Sequence, residues 1–179
     1  MIPWLYLAVV LVAVQRIAEL IYAGRNTRRL LAAGGVEHGA GHYPLFVALH
    51  GSWLAVLILT VPPATPPNLT LLLLFVLLQV ARVWVVVSLG RFWTTRIITV
   101  PGAPLVRRGP YRFLRHPNYL VVTLEIAVLP LAFGAWQVAL GFSVLNALLL
   151  WHRIRVEDGV LAPRQGVPSK SYQGTGESR

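Results

Sequence analysis

The chain has 179 residues, of which 56% are hydrophobic and 12% charged, with a mean hydropathy of +0.64. A soluble domain carries about twice that charged fraction, so the composition excludes an ordinary soluble fold and calls for an integral membrane protein. The absence of cysteine removes disulfides, thiolate nucleophiles and Cys-based metal sites. The net charge of +10 is assigned to basic residues flanking membrane helices, not to a nucleic-acid surface.

In chain order, Ile2–Tyr22 is apolar and long enough to cross a bilayer. It has no basic leader and no small-residue cleavage site before a polar chain, so a retained helix is expected. Tyr43–Val61 is the second span, ended by Pro62-Pro63 and Pro66-Pro67, and Leu69–Leu89 is the third. Leu120–Phe133 and Trp136–Trp151 are shorter apolar runs split by Gly134 and read as a tight helical hairpin. The expected fold is therefore an all-α integral membrane protein of about five transmembrane helices: three long spans, then the hairpin. The polar stretch 169–179, rich in Gly and Ser, is expected to be disordered.

Charge sets the expected topology. Loop 23–42 holds Arg25, Arg28 and Arg29, loop 90–117 holds six arginines, and the tail after Trp151 holds most of the remaining basic residues. Five crossings with the N-terminus outside and the C-terminus in the cytoplasm put all of these on the inner side of the plasma membrane.

The other charges are embedded, at matching depths. Arg16 and Glu19 on the first helix, His50 on the second, Arg82 on the third and Glu125 on the fourth point to one polar layer, most of it about 10 Å below the cytoplasmic surface; Asn26 shares a face with Arg16 and Glu19, and Gln79 with Arg82. An intramembrane ionisable group is a functional hypothesis by default. The plainer reading is helix glue, with Arg16 neutralising Glu19 and Arg82 pairing with Glu125. Glu19, Asn26, His50 and Arg82 are the expected contacts for a polar head group, with the tail between the helices.

The most informative segment is Gly109-Pro110-Tyr111-Arg112-Phe113-Leu114-Arg115-His116-Pro117-Asn118-Tyr119. Gly109-Pro110 reads as a turn, and Pro117 starts a helix whose free N–H groups, with Arg112 and Arg115, suit an anion. An interfacial aromatic–arginine anchor is the competing reading. Farther on, Arg153, Arg155, Glu157 and Asp158 follow the last apolar run. His38 and His42 lie four apart, but no carboxylate stands at ligand spacing and no metal site is expected.

The Gly109–Tyr119 segment, the hairpin, and Arg155-Val156-Glu157-Asp158 with Leu161 resemble the isoprenylcysteine carboxyl methyltransferase family. The family pattern runs Gly-Pro-Tyr-Arg, then Arg-His-Pro-x-Tyr, then Arg-x-Glu-Glu-x-x-Leu. Asp158 replaces the second glutamate, and Leu161–Gly166 replaces the usual ending. The first half, through Gln15-Arg16, Glu19-Leu20, Arg25-Asn26, His42-Tyr43-Pro44 and Leu49-His50, resembles a narrower bacterial subgroup of O-methyltransferases of alkylpyrones and related phenolic lipids, associated with type III polyketide synthases.

The resemblance implies one methyltransferase domain over 1–168, with 1–89 on the substrate side and 90–162 binding S-adenosylmethionine. S-adenosylhomocysteine is then the product. It implies that Gly109, Tyr111, Arg112, Arg115, His116, Pro117, Tyr119 and Glu157 line the cofactor site. Arg155 and Glu157 become the catalytic residues, with Arg155 orienting the acceptor oxyanion. The acceptor is an alkylpyrone-type lipid or an isoprenylcysteine-like carboxylate. An NADPH-dependent membrane reductase and a non-enzymatic scaffold subunit are the alternatives. Oligomeric state is not set by the sequence.

Overall fold

The computed structural model describes residues 3–103 and 106–165, with side chains described through residue 159, His42 apart. Five helices make up most of it: α1 Trp4–Ala32, α2 Tyr43–Thr60, α3 Leu69–Leu89, α4 Pro117–Ala132 and α5 Trp136–Gln165. α1, α2 and α3 are long and apolar enough to cross a membrane. α4 is a 16-residue apolar helix. The outer faces are apolar too: Leu11, Val80 and Leu148 are about 60% exposed, an arrangement that suits lipid and not water. The all-α membrane architecture is as expected. The tail at 169–179 lies outside the described residues.

Two boundaries differ from the sequence reading. α1 runs ten residues beyond Tyr22 and carries Arg25, Arg28 and Arg29 on helix, not loop. The stretch 23–33 is rich in Arg, Leu and Ala, all strong helix formers, and nothing breaks it before Gly34. Gly34 takes φ +81°, and the Gly35 N–H then donates to the Leu30 carbonyl at 2.9 Å, closing the end. α5 likewise passes Trp151 without a break, so Arg153 to Asp158 ride on one rigid helix.

A two-stranded antiparallel ribbon is an addition. β1 (Val36–His38) pairs with β2 (Ile97–Thr99), Glu37 opposite Ile98. Arg96 bonds the Glu37 carboxylate at 2.9 Å, and His38 Nε2 meets the Thr99 hydroxyl at 2.9 Å. Arg96 also lies over the Tyr43 ring, 5.1 Å from its centroid, so the ribbon is tied to the start of α2.

At the opposite end Asn68 caps α3, its side chain accepting from the Leu71 N–H at 3.1 Å. Gly134, at φ +72°, turns α4 into α5. The apolar core fills this half, around Leu5, Trp53, Leu57, Ile126 and Leu129. The polar groups collect toward the ribbon end.

Candidate active site

Three helices, α1, α3 and α4, meet in a buried ionic network. Arg82 on α3 grips Glu19 on α1 with two bonds, Nε to Oε1 at 2.6 Å and a terminal nitrogen to Oε2 at 2.5 Å. Arg16 on α1 donates to Glu125 on α4 at 2.6 Å and to Glu19 at 3.2 Å. Arg82 reaches Glu125 at 3.2 Å, and Gln79 donates to it at 2.9 Å. The polar layer read from matching depths therefore exists. The strongest pairings are crossed relative to expectation: Arg82 holds Glu19, and Arg16 holds Glu125. Glu125 is fully buried, and two cations beside it offset the cost of its charge there.

A second polar chain stands nearer the ribbon. Arg153 on α5 donates from Nε to the Tyr119 hydroxyl at 2.8 Å and from a terminal nitrogen to the Thr95 carbonyl at 2.9 Å. Tyr119 in turn donates to Glu157. His116 stacks on Tyr119, centroids 5.1 Å apart and planes 10° apart, and its Nδ1 lies 3.8 Å from Glu157. Burial pushes the Tyr111 hydroxyl well above its usual range, and the Glu157 charge adds to the effect, so Tyr111 stays neutral.

These groups border two adjacent cavities. One, of about 300 Å³, lies among all five helices and is lined by Arg16, Glu19, His50 and Arg82 with apolar walls from Ile17, Leu20, Val47 and Leu54. The other, of about 250 Å³, lies under β2 and is lined by Tyr111, Arg115, His116 and Glu157. Trp93, Thr94, Asn118, Tyr119 and Arg153 line both and form the wall between them. Two buried polar atoms at this wall lack a hydrogen-bond partner, Trp93 Nε1 and Asn118 Oδ1, and beside it His116 Nε2 has only the Asp158 carboxylate, 3.5 Å away. A buried unpaired polar group costs about 1–3 kcal/mol, so this wall fits a ligand that supplies both donors and acceptors.

Of the residues expected from sequence, Glu19, His50 and Arg82 reach the first cavity, and Tyr111, Arg115, His116, Tyr119 and Glu157 the second. Five others stand apart. Asn26 is buried and donates to the carbonyls of Gly90 and Trp93, at 3.1 and 2.9 Å; it holds the turn that carries the shared wall and touches neither cavity. Arg112 is exposed and covers the Phe113 ring. Gly109, at φ +57°, packs on α3, where a Cβ would come within 2.1 Å of the Ser88 hydroxyl. Pro117 opens α4. Arg155 is exposed, its guanidinium 3.8 Å above the exposed Trp151 ring, on the face of α5 away from both cavities.

The cation at the shared wall is Arg153, not Arg155. The sequence holds a signal for this: Arg153 and Glu157 are four apart and share a helical face, whereas Arg155 is two from Glu157 and four from Trp151. Trp93, Thr94 and Asn118 carry no comparable signal.

The fold and these cavities define a polytopic membrane protein with a polar site where its helices meet the ribbon. The chain belongs to the isoprenylcysteine carboxyl methyltransferase family, whose model matches residues 70–163. That membership points to a membrane methyltransferase. The uncharacterized protein YpbQ of Bacillus subtilis is 40% identical over 164 residues, covering 88% of this chain and 95% of YpbQ. An uncharacterized protein of Haemophilus influenzae is 24% identical over 155 residues, covering 82% and 88%. No solved structure matches the chain.

Proposed function

We propose that the chain is an S-adenosylmethionine-dependent O-methyltransferase that modifies a lipophilic acceptor at the cytoplasmic face of the membrane, with its N-terminus outside and its C-terminus inside. The wall shared by two cavities carries this reading, because two reactants held on either side of it meet there. Family membership supports the reaction class.

The cavity under the ribbon is assigned to the methyl donor. Arg115 and His116 would hold its carboxylate, and Glu157 its amino group. The rings of Tyr111 and Tyr119 suit a sulfonium. The unpaired atoms of Trp93 and Asn118 fit the mixed donors and acceptors of a nucleoside and an amino acid. When bound, the donor supplies a methyl group on a sulfonium, and its transfer to an acceptor oxygen leaves S-adenosylhomocysteine.

The larger cavity is assigned to the acceptor. Its head meets Glu19, His50 and Arg82, and its tail lies along Ile17, Leu20 and Val47. Arg153 holds the reacting oxygen at the wall, the role that its neighbour Arg155 faces the wrong way to perform. A carboxylate or an acidic ring hydroxyl ionises readily, so position and exclusion of water supply most of the rate, with little demand for a general base. An alkylpyrone-type lipid and an isoprenylcysteine-like carboxylate both meet this description.

The test is calorimetric titration of the detergent-purified protein with S-adenosylmethionine and, separately, NADPH. Binding of the former alone, weakened in His116→Ala, is expected. Binding of NADPH alone, or of neither, overturns the reading.

A further inference from the structure

The chain has 6 acidic residues, and all but Glu177 lie among the described residues. Each of these is engaged. Glu19 and Glu125 hold Arg16 and Arg82, Glu37 holds Arg96, and Glu157 and Asp158 face the two ring nitrogens of His116. Arg25, Arg28, Arg29, Arg91, Arg107 and Arg112 are exposed, and among the described residues no carboxylate pairs with any of them.

The fold gathers these arginines at the C-terminal end of α3. Asn26, in the midst of the first three, donates to the Gly90 carbonyl at 3.1 Å, just past that end. Arg91 follows directly. Arg108 donates to the Ser88 carbonyl at 2.6 Å and so brings its neighbour Arg107, and the short helical turn that ends in Arg112, to the same place. Trp84, about one turn before Ser88, is 52% exposed, and a Cβ on Gly109 would stand 3.2 Å from its indole nitrogen. A half-exposed Trp on an apolar span marks the membrane–water boundary. The arginines beyond it therefore stand at the level of the lipid head groups.

Their surroundings select the partner. Phe113 is 77% exposed and Leu114 45%, directly after Arg112. An acidic peptide or a nucleic acid would supply negative charge and leave Phe113 in water, whereas a phospholipid covers both the cation and the ring. The Arg112 guanidinium lies over the Phe113 ring, 5.9 Å from its centroid, and that of Arg91 over Phe92 at 4.9 Å. Stacking leaves the N–H edge of a guanidinium free, and that edge takes a phosphate with two parallel bonds.

We propose that the surface around the end of α3, formed by Arg25, Arg28, Arg29, Arg91, Arg107 and Arg112 with Phe113, binds the head groups of acidic phospholipids. A cluster of about four to eight basic residues beside a membrane span has the size that selects such lipids. The binding involves no residue of the methyl-transfer wall and stands apart from the reaction proposed above.

The experiment uses the full chain in a neutral detergent, titrated with phosphatidylglycerol or with phosphatidylcholine of the same acyl chains, the bound lipids being counted by native mass spectrometry. Wild type is expected to hold phosphatidylglycerol about tenfold more tightly than phosphatidylcholine. The triple variant Arg25→Gln, Arg29→Gln, Arg112→Gln is expected to lose most of that preference, and Phe113→Ser to weaken the binding of both lipids. Arg155→Gln removes an exposed arginine that lies over Trp151, and should keep the preference. Circular dichroism reports whether each variant is folded; should the triple variant not fold, the three single substitutions decide in its place, each expected to lose part of the preference. Equal affinity for the two lipids in wild type overturns the inference, as does a preference that survives in the folded triple variant or is lost equally in Arg155→Gln. Soluble glycerol phosphate, the head group without chains, should not displace the lipid at the same concentration; displacement would show a site for a free anion and overturn the lipid assignment.

Discussion

Arg153 and Tyr119 meet at the wall between the two cavities, the guanidinium Nε donating to the tyrosine oxygen at 2.8 Å while that hydroxyl donates to Glu157. The hydroxyl is thus acceptor and donor at once, and it fixes a cation on one side relative to a carboxylate on the other. Tyr119→Phe keeps the ring that stacks on His116 and removes both bonds. A hydrogen bond to a charged group is worth about 1.5–3 kcal/mol, so kcat is expected to fall about 10- to 100-fold. The ring still covers the donor cavity, so the Kd for S-adenosylmethionine should change far less. Radiolabel transfer and calorimetry check the two halves; a large change in Kd with kcat intact would refute the assignment of Tyr119 to the transfer step.

Arg153 and Arg155 provide an internal control. They are two residues apart on α5 and point to nearly opposite sides of it. Arg153 is 9% exposed and bonded at the wall; Arg155 is exposed and lies over Trp151. Arg153→Ala is expected to lower kcat/KM by at least 100-fold, and Arg153→Lys by nearly as much, because an ammonium cannot reproduce the two directed bonds to Tyr119 and Thr95. Arg155→Ala should stay within about threefold of wild type, since it loses only an exposed cation–π contact of about 0.5–1 kcal/mol. The same transfer assay measures all three, and the reverse ranking would return the catalytic role to Arg155.

The buried ionic network bears on stability. Glu125 accepts from Arg16, Arg82 and Gln79 and is fully buried. Glu125→Ala leaves two arginines short of a partner within the helix bundle, and removing one member of a buried pair costs about 3–5 kcal/mol. Glu125→Gln keeps the shape and an acceptor and should cost less. Thermal unfolding in detergent should rank wild type above Glu125→Gln above Glu125→Ala. Equal midpoints would mean that the network is solvated and contributes little.

Much of this arrangement was legible in the sequence. Pro pairs bound the second span, and the depth of each embedded charge followed from residue count alone. Which arginine holds which glutamate depends on how each helix is rotated about its axis, and depth does not set rotation; hence the crossed pairing of Arg82 and Arg16. The ribbon was illegible for a different reason. Its strands are three residues long and join segments 61 positions apart, too short for any alternation to register. Trp93 and Thr94 are held at the site by tertiary contacts, the Asn26 bond to the Trp93 carbonyl and the Arg153 bond to the Thr95 carbonyl among them. Asn26 itself was read as a ligand contact because a buried polar side chain looks the same in sequence whether it bonds substrate or backbone.

The last prediction concerns how a long tail is accommodated. Gly51 on α2 lines the larger cavity, is exposed, and has nothing within 4 Å of where a Cβ would stand. Ile17 and Leu20 on α1 and Val47 on α2 also line the cavity while 58%, 36% and 45% exposed. The same residues therefore face the cavity and the lipid, so the wall between α1 and α2 has a gap there, kept open by the missing side chain. In lipid a tail gains nothing from apolar contact that it did not already have, so the gap acts by shape and not by affinity. Gly51→Phe places a ring in this open space. KM for acceptors with long alkyl chains is expected to rise about tenfold, while acceptors with a methyl or ethyl in place of the chain change less than twofold and donor affinity is unaltered. Gly51→Ala, adding one methyl into open space, should resemble wild type and separate loss of space from loss of glycine flexibility. Assaying a chain-length series on the three proteins checks this, and an equal loss for short and long chains in Gly51→Phe would show that the tail leaves elsewhere.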